Sequence, residues 1–264
     1  MDQPRIHPTA VIAPAAELDS SVEVGPYAVI GPHVRIGAGC KVGAHVVLEG
    51  PTVLGENNRL YPFCSVGAAP QDKKYAGEDT ALEIGNGNTI RECVTINRGT
   101  ASKGHTVVGS DCLIMAYSHV AHDCVVHNHV IIGNASQIAG EVEIDDFAIL
   151  SGSVLVHQFT RISQHVMIQG GSRVGKDIPP YPLIGRDPIV YCGINIVGLR
   201  RRGFSNQQVY LIQDIYRTLY TRGLNNTDAL QAIEMEYGPG PERDLILNFI
   251  KHSKRGIVRG SIDE

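Results

Sequence analysis

Four histidines stand within twelve residues, at positions 119, 122, 127 and 129 of the segment SHVAHDCVVHNH. Two kinds of chemistry fit that density. Imidazole is the commonest protein nitrogen ligand, so the four could converge on zinc. Alternatively, one histidine is a general base working near neutral pH, while the others bind substrate or face water. The choice depends on the scaffold that positions them.

That scaffold is written in a six-residue period. An aliphatic residue occupies every position divisible by six from Ile6 to Val174, except at Asp72, Glu78 and Ser102. Four residues after each aliphatic comes a small one, such as Ala10, Ala16, Val22, Ala28, Val34 and Cys40, with Asn58 and Asn88 as departures. Two inward positions of even spacing per hexad describe a short strand and a turn. A fixed short period means a solenoid, whose coils bury their aliphatics only by stacking on one another. Hexads ending in tight turns wind most economically as triangular coils of three, so residues eighteen apart stack at about 4.8 Å.

The stacking rule favours the base over the metal. His122, Gly140 and Gln158 fall in one column, with His157 beside its end. A base, a glycine whose backbone can be closely approached and a polar amide on one edge suit group transfer. Zinc needs converging ligands, and a glycine in the adjacent rung supplies none. His7, His33 and His45 sit at turn positions and are expected on the surface.

Two stretches interrupt the period. Residues 67–83 (GAAPQDKKYAGEDTALE) collect Pro, Gly and charge, and residues 97–107 (NRGTASKGHTV) are shorter and Gly-rich. Both read as loops thrown out from the coil wall, and long excursions from a regular scaffold are usually functional. Gln71, Asp72, Lys74 and Tyr75 cluster in the first. After Val174, three close prolines in KDIPPYPLIGRDP end the regular pattern. Ser205 and Gln208 spell a capping box before an apolar stripe of Val209, Ile212, Ile215, Tyr216 and Leu219. Two more helices are expected, one opening near Thr227 and one after Pro241 that runs to Gly256. The chain therefore divides into a solenoid over residues 1–190 and an α-helical unit over 191–264.

Composition narrows the function classes. A net charge of −4 and an isoelectric point near 6.2 argue against nucleic acid as the main partner. No apolar run approaches the roughly 20 residues of a membrane helix, and no basic segment leads into one, so a cytoplasmic protein without membrane insertion is expected. Cys40, Cys64, Cys112 and Cys124 occupy the small inward slot, where cysteine serves as a small hydrophobe, so neither disulfides nor Cys-zinc sites are expected.

The hexads resemble the hexapeptide-repeat acyltransferases, whose fold is an all-β solenoid, the left-handed parallel β-helix. The handedness comes from that resemblance, since it opposes the usual crossover rule. QDKKYAGE, AHDC, VHQF and GLRRRGF, in this order along essentially the whole chain, resemble the UDP-N-acetylglucosamine 3-O-acyltransferase family in particular. The resemblance implies transfer of a 3-hydroxyacyl group from acyl carrier protein to the 3-hydroxyl of the UDP-sugar, the first step of lipid A biosynthesis. It implies a homotrimer with sites between subunits, no metal, and no cofactor beyond the carrier's phosphopantetheine arm.

Residue by residue, the resemblance makes His122 the general base with Asp123 beside it, and Gly140 the backbone donor to the oxyanion. His119, Gln71, Asp72, Lys74, His157 and Gln158 match substrate-binding positions, and Asn195, Arg201 and Arg202 the nucleotide-binding end. Gly152 and Gly170, eighteen apart, would leave a bare strip for a long acyl chain, with Gly170 at the family's length-ruler position. Lys251, Lys254 and Arg255 are candidates for docking the acidic carrier. Glu141 stands where characterised members carry a histidine in the acceptor pocket, and Val197 where they carry a glutamate. The alternatives are an N-acyltransferase acting on a 3-amino UDP-sugar and a zinc hydrase of the γ-carbonic-anhydrase type.

Overall fold

The structure, a computed structural model, describes residues 4–260. It is a left-handed parallel β-helix with three walls and a helical end. Among the described residues wall A has eleven strands, wall B nine and wall C eight, and successive strands of the solenoid step from wall to wall. Most strands are two residues long, one side chain outward and one inward, as in Val125–Val126 and Ile131–Ile132. Both inward slots of the hexad are sealed: Val22, Ala28, Val34 and Cys40 are as buried as Ile30, Leu48 and Ile114. At the open first coil, Ala10, Ile12, Ala16 and Leu18 are only partly buried.

The corners explain how so short a strand can turn. The residue three places after the aliphatic adopts a left-handed backbone in most hexads, among them His45 (φ 57°), Asp123 (φ 60°) and Glu141 (φ 60°). That conformation costs a non-glycine residue energy, which stacking along the corner helps offset. His45 sits between the rings of Tyr27 and Phe63, 5.0 Å from each. His7, His33 and His45 are exposed.

Asn58 and Asn88, the polar intruders in the small slot, are fully buried and fully bonded. The Asn88 side-chain amide donates to Asn58 Oδ1 at 3.0 Å, and the Cys112 N–H donates to Asn88 Oδ1 at 2.8 Å. An inward amide is tolerated here because the ladder satisfies it.

Register shows why the period survives both interruptions. Arg59 pairs with Thr89, thirty residues on instead of eighteen, so the first excursion adds twelve residues to one coil. Thr95 pairs with His119, twenty-four residues on, so the second adds six. Both additions are whole hexads, and the aliphatics return in phase. Asp72 and Glu78 lie in the first and Ser102 in the second, which accounts for all three exceptions. The strands Ser65–Ala68, Ala81–Ile84, Thr95–Asn97 and His105–Val108 are lengthened, leaving 69–80 and 98–104 as the free excursions.

Beyond the last coil, Pro182–Gly185 still pairs with wall A and turns back antiparallel against Val190–Ile194. Among the described residues four helices follow: α1 (Ile196–Arg201), α2 (Asn206–Thr221), α3 (Asn226–Glu236) and α4 (Pro241–Lys251). The Ser205–Gln208 capping box forms as the sequence predicts. Short α1 has no signature in the sequence pattern. Helix α4 ends at Lys251 rather than at the expected Gly256, because Ser253 bonds back to Asp177 of the solenoid at 2.7 Å. Lys254 and Arg255 thus lie past the helix. Lys251 pairs with Glu234, and the Arg255 guanidinium donates to the Gly175 carbonyl, so Lys254 alone of the three is without a partner among the described residues.

Candidate active site

His122 occupies the edge between walls B and C, in the corner after the strand His119–Val120. The residue is only 7 % exposed, and its Nδ1 lies 2.7 Å from Asp123 Oδ2. Asp123 is fully buried. Its Oδ1 accepts from the N–H groups of Thr100 (2.9 Å) and Lys103 (3.3 Å), and its Oδ2 also accepts from the Thr100 hydroxyl at 2.6 Å. Its own N–H donates to Thr106 Oγ1, and its carbonyl accepts from Lys103 Nζ. Burial alone would push the Asp123 carboxyl up; the hydrogen bonds from Thr100 and His122 outweigh it and hold the group below the usual carboxylate range. A carboxylate only accepts, so neutral His122 carries its proton on Nδ1 and presents a lone pair on Nε2.

Gly140 stacks one rung away, as the eighteen-residue column requires. A side chain there would collide with the imidazole: its Cβ would stand 2.6 Å from His122 Cε1 and 2.7 Å from Nε2. The glycine is therefore the space in which the base sits. Its N–H has no acceptor among the described residues, whereas the next N–H, of Glu141, donates to the His122 carbonyl. A free donor thus lies beside the free lone pair.

Two clefts meet at this point, and His122 and Gln158 line both. One, of about 460 Å³ over wall B, is lined by Gln71, His119, Gln137, Gly140, Leu155 and His157. The other, of about 300 Å³, lies under the excursions and includes Asp72, Lys74, Tyr75, Glu78, Ser102 and Glu141. The excursions are tied together: Arg98 donates to the Tyr75 hydroxyl and to the Gly67 carbonyl. Ser102 donates to Glu141 Oε1 at 3.1 Å. His119 bonds Thr95 through Nδ1 at 2.7 Å, and burial lowers its pKa. A larger cleft of about 880 Å³ lies on wall A between Pro4 and Pro62; its Glu23 is paired with Arg5 and Lys41, and its His7 is exposed, with Nδ1 bonded to Thr9 at 2.9 Å and no buried carboxylate among the described residues to fix the ring.

The remaining sequence-predicted residues lie on other edges. Gly152 and Gly170 do stack, at the edge between walls A and B, with the Gly171 N–H donating to the Gly152 carbonyl at 3.0 Å; they line neither cleft. Asn195, Arg201 and Arg202 lie at the third edge, between walls C and A. There His129, Phe147, His165 and Tyr181 stack in a ladder, and the Arg202 guanidinium lies 5.0 Å from the Phe147 ring centre. Asn195 caps α1 through Oδ1 and donates to the His165 carbonyl, while Arg201 and Val197 are exposed. One chain therefore does not bring the nucleotide-end residues to His122.

The four histidines do not converge on a metal. His119 and His122 face the clefts; His127 lies on another face with Glu143 and Asp145, close enough for the three to share an ion. Arg161 already binds Glu143 at 3.2 Å, and Ser163 binds Asp145 at 2.9 Å. Thr100, Arg98 and Ser102 escaped the sequence reading as site residues. The break at Ser102 marked the excursion that carries them but not their targets.

Comparison with known proteins agrees with this picture. Residues 177–258 match the profile described as Udp N-acetylglucosamine O-acyltransferase, domain 2. Residues 16–50 and 105–140 match the bacterial transferase hexapeptide repeat. The chain is 50% identical over 256 residues to the acyl-(acyl-carrier-protein)--UDP-N-acetylglucosamine O-acyltransferase of Myxococcus xanthus, covering 97% of this chain and 99% of that one. It is 51% identical over 259 residues to the protein of the same name from Paracidovorax citrulli, covering 96% and 99%. Among solved structures, LpxA of Bacteroides fragilis, a UDP-N-acetylglucosamine acyltransferase, superposes with a TM-score of 0.95 at 50% identity, covering 96% of this chain and all of that one. LpxA of Acinetobacter baumannii gives 0.93 at 43%, covering 96% and 99%. On its hexad scaffold, its two excursions, its helical end and these full-length similarities, the chain belongs to the acyl-(acyl-carrier-protein)--UDP-N-acetylglucosamine O-acyltransferase family.

Proposed function

We propose that this enzyme transfers a 3-hydroxyacyl group from acyl carrier protein to the 3-hydroxyl of UDP-N-acetylglucosamine, the first step of lipid A biosynthesis, with His122 as general base. One observation carries the mechanism: an imidazole fixed by a buried carboxylate presents its free edge beside a donor without an acceptor among the described residues, where two clefts meet. A sugar hydroxyl is too weak an acid to attack a thioester unaided at neutral pH. His122 Nε2 takes the hydroxyl proton as the oxygen attacks the thioester carbon. The carbonyl oxygen gains negative charge, which the Gly140 N–H stabilises. The C–S bond then breaks, and the imidazolium returns its proton to the departing thiolate. Asp123 remains ionised throughout and holds the imidazole in the productive tautomer. A thioester is already activated, so the transfer itself calls for no metal or further cofactor.

Substrate assignments follow the two clefts. Gln71, His119, His157 and Gln158, lining the cleft over wall B, suit the sugar, and Asp72, Lys74 and Glu141, lining the cleft under the excursions, suit the hydroxyacyl group next to it. Outside both clefts, on the edge between walls A and B, the bare column of Gly152 and Gly170 suits the acyl tail and favours a long chain. Lys254 is the docking-face candidate that retains a free charge. No helix among the described residues is long and apolar enough to cross a membrane, which is compatible with action in the cytoplasm on soluble donor and acceptor.

The separation of the edges supports a shared site in an oligomer, and the homotrimer that the family resemblance implies supplies one. Asn195, Arg201 and Arg202 can complete the site only as contributions from a neighbouring copy. From the rung of His122 onward, the outward column of wall A turns apolar, with Leu113, Ile131, Ile149, Met167 and Leu183 half-buried. That stripe is a surface for a second copy to cover. The test is to mix inactive His122→Ala and Arg202→Ala subunits by refolding them together. If His122 and Arg202 come from different subunits of one site, roughly a quarter of the sites in an equal mixture are intact and activity returns to about that level. Activity no higher than the two variants alone contradicts the shared site.

A further inference from the structure

We infer that Thr100, on the second excursion, is a positioning residue for the base: its hydroxyl and N–H hold the Asp123 carboxylate that in turn holds His122. The inference rests on His122 acting as the base.

The geometry is specific. Thr100 is 8 % exposed and reaches both carboxylate oxygens, its N–H to Oδ1 at 2.9 Å and its hydroxyl to Oδ2 at 2.6 Å. Oδ2 is the oxygen that accepts from His122 Nδ1 at 2.7 Å. The Thr100 hydroxyl and the imidazole therefore share one acceptor atom. Charge-assisted bonds of this kind are short and strong, and the low dielectric of a buried site strengthens them further. Asp123 sits at a left-handed corner whose N–H is taken by Thr106, so its backbone is fixed and only the carboxylate's rotation remains to be set. Thr100 sets it. The six residues added to this coil thus supply a buried donor pair that a regular hexad corner lacks; the equivalent corner one rung on, at Glu141, has its carboxylate turned outward to Ser102.

A positioning role has a signature that mere structural support lacks. Sharing Oδ2 disperses the carboxylate charge over two donors. Removing the hydroxyl concentrates that charge on His122 and favours the imidazolium, so the acid limb of the pH–rate profile must move to higher pH. Other charges facing the pair remain in place in such a variant: Lys103 against Asp123, His119 and His157 in one cleft, and Asp72, Lys74, Glu78 and Glu141 in the other.

The experiment measures pH profiles of kcat/KM for Thr100→Val, Thr100→Ala and Thr100→Ser in the full-length enzyme, with acyl carrier protein donor and UDP-N-acetylglucosamine. The Val variant is expected to lose at least about tenfold in kcat with little change in KM, and its acid limb to rise by about half a pH unit or more. Ala should behave likewise, covering the case in which Val misfolds, and Ser should return kcat to within about threefold of wild type. In an Asp123→Asn background, Thr100→Val should add less than about twofold, since both act through one carboxylate. An unshifted profile in both Val and Ala, or a Ser variant as impaired as they are, overturns the proposal. Failure of the underlying reading looks different: His122→Ala would then keep its activity whatever Thr100 does.

Discussion

Gly140→Ala adds a single methyl group, and the structure says where it goes. The new Cβ would lie 2.6 Å from His122 Cε1 and 2.7 Å from Nε2, well inside ordinary van der Waals contact. The backbone at 140 is not left-handed, so alanine brings no conformational strain of its own. The imidazole must yield, yet its far side is bonded to Asp123 at 2.7 Å. Relieving the overlap requires a ring displacement on the order of 1 Å, and misplacement of that size costs about 10²-fold in rate, or about 2.7 kcal/mol of transition-state stabilisation. The N–H at 140 survives the substitution, so the loss reports on the position of the base and not on the donor. Steady-state kcat for Gly140→Ala, His122→Ala and the double variant separates the two. We expect the single substitution to lower kcat by about 10² and to add almost nothing once His122 is alanine, because the group it displaces is gone. Activity of Gly140→Ala within threefold of wild type, or a full hundredfold further loss in the His122→Ala background, would refute the assignment of Gly140 as the space that seats the base.

Burial, helped by Arg202, pushes His165 down to about 4 in the folded protein, against about 6.5 for an unfolded histidine. Between those values the unfolded chain takes up a proton that the native ring refuses, so stability falls as pH drops from about 6.5 to about 4. His165→Phe keeps a ring between Phe147 and Tyr181 and should lose less stability than wild type between pH 7.5 and pH 5, as measured by urea unfolding midpoints; equal losses would contradict this. Gly170→Met places a Cβ 3.0 Å from the Gly152 carbonyl and fills the bare strip. In a competition assay it should retain a ten-carbon 3-hydroxyacyl donor and reject a fourteen-carbon one, since each methylene is worth roughly 1–3 kcal/mol. Equal loss of both donors would make the glycine column purely structural.

Much of the fold was legible because the hexad is a local rule with a global consequence: each inward aliphatic must meet its equivalent one coil away. The column His122–Gly140–Gln158 followed from counting, and it stands as counted. Counting also has a blind spot. The excursions keep the phase because they are whole hexads long, but their backbone obeys no period, so nothing in the spacing says that Thr100 turns in to Asp123 or that Arg98 binds Tyr75. Similarly, Asn195 and Arg202 could be assigned to a nucleotide only by resemblance. Their neighbours, the stacked His129–Phe147–His165 ladder, are eighteen apart and could have been read as one edge, distinct from that of His122. Helix α1 was hidden by its shortness and by Gly198 within it, and its end is fixed by the cap from Asn195 rather than by propensity.

The central claim is that His122 is the base of an acyl transfer to UDP-N-acetylglucosamine. Its most direct test is mass spectrometric quantification of the acylated UDP-sugar formed from a 3-hydroxyacyl carrier protein by wild-type and His122→Ala enzyme, each shown to have the same oligomeric mass. A general-base role for His122 predicts a product heavier by one 3-hydroxyacyl group, and a rate lowered by about 10² to 10⁴ in the variant with its assembly intact. A His122→Ala enzyme that forms the same product within tenfold of the wild-type rate would contradict it.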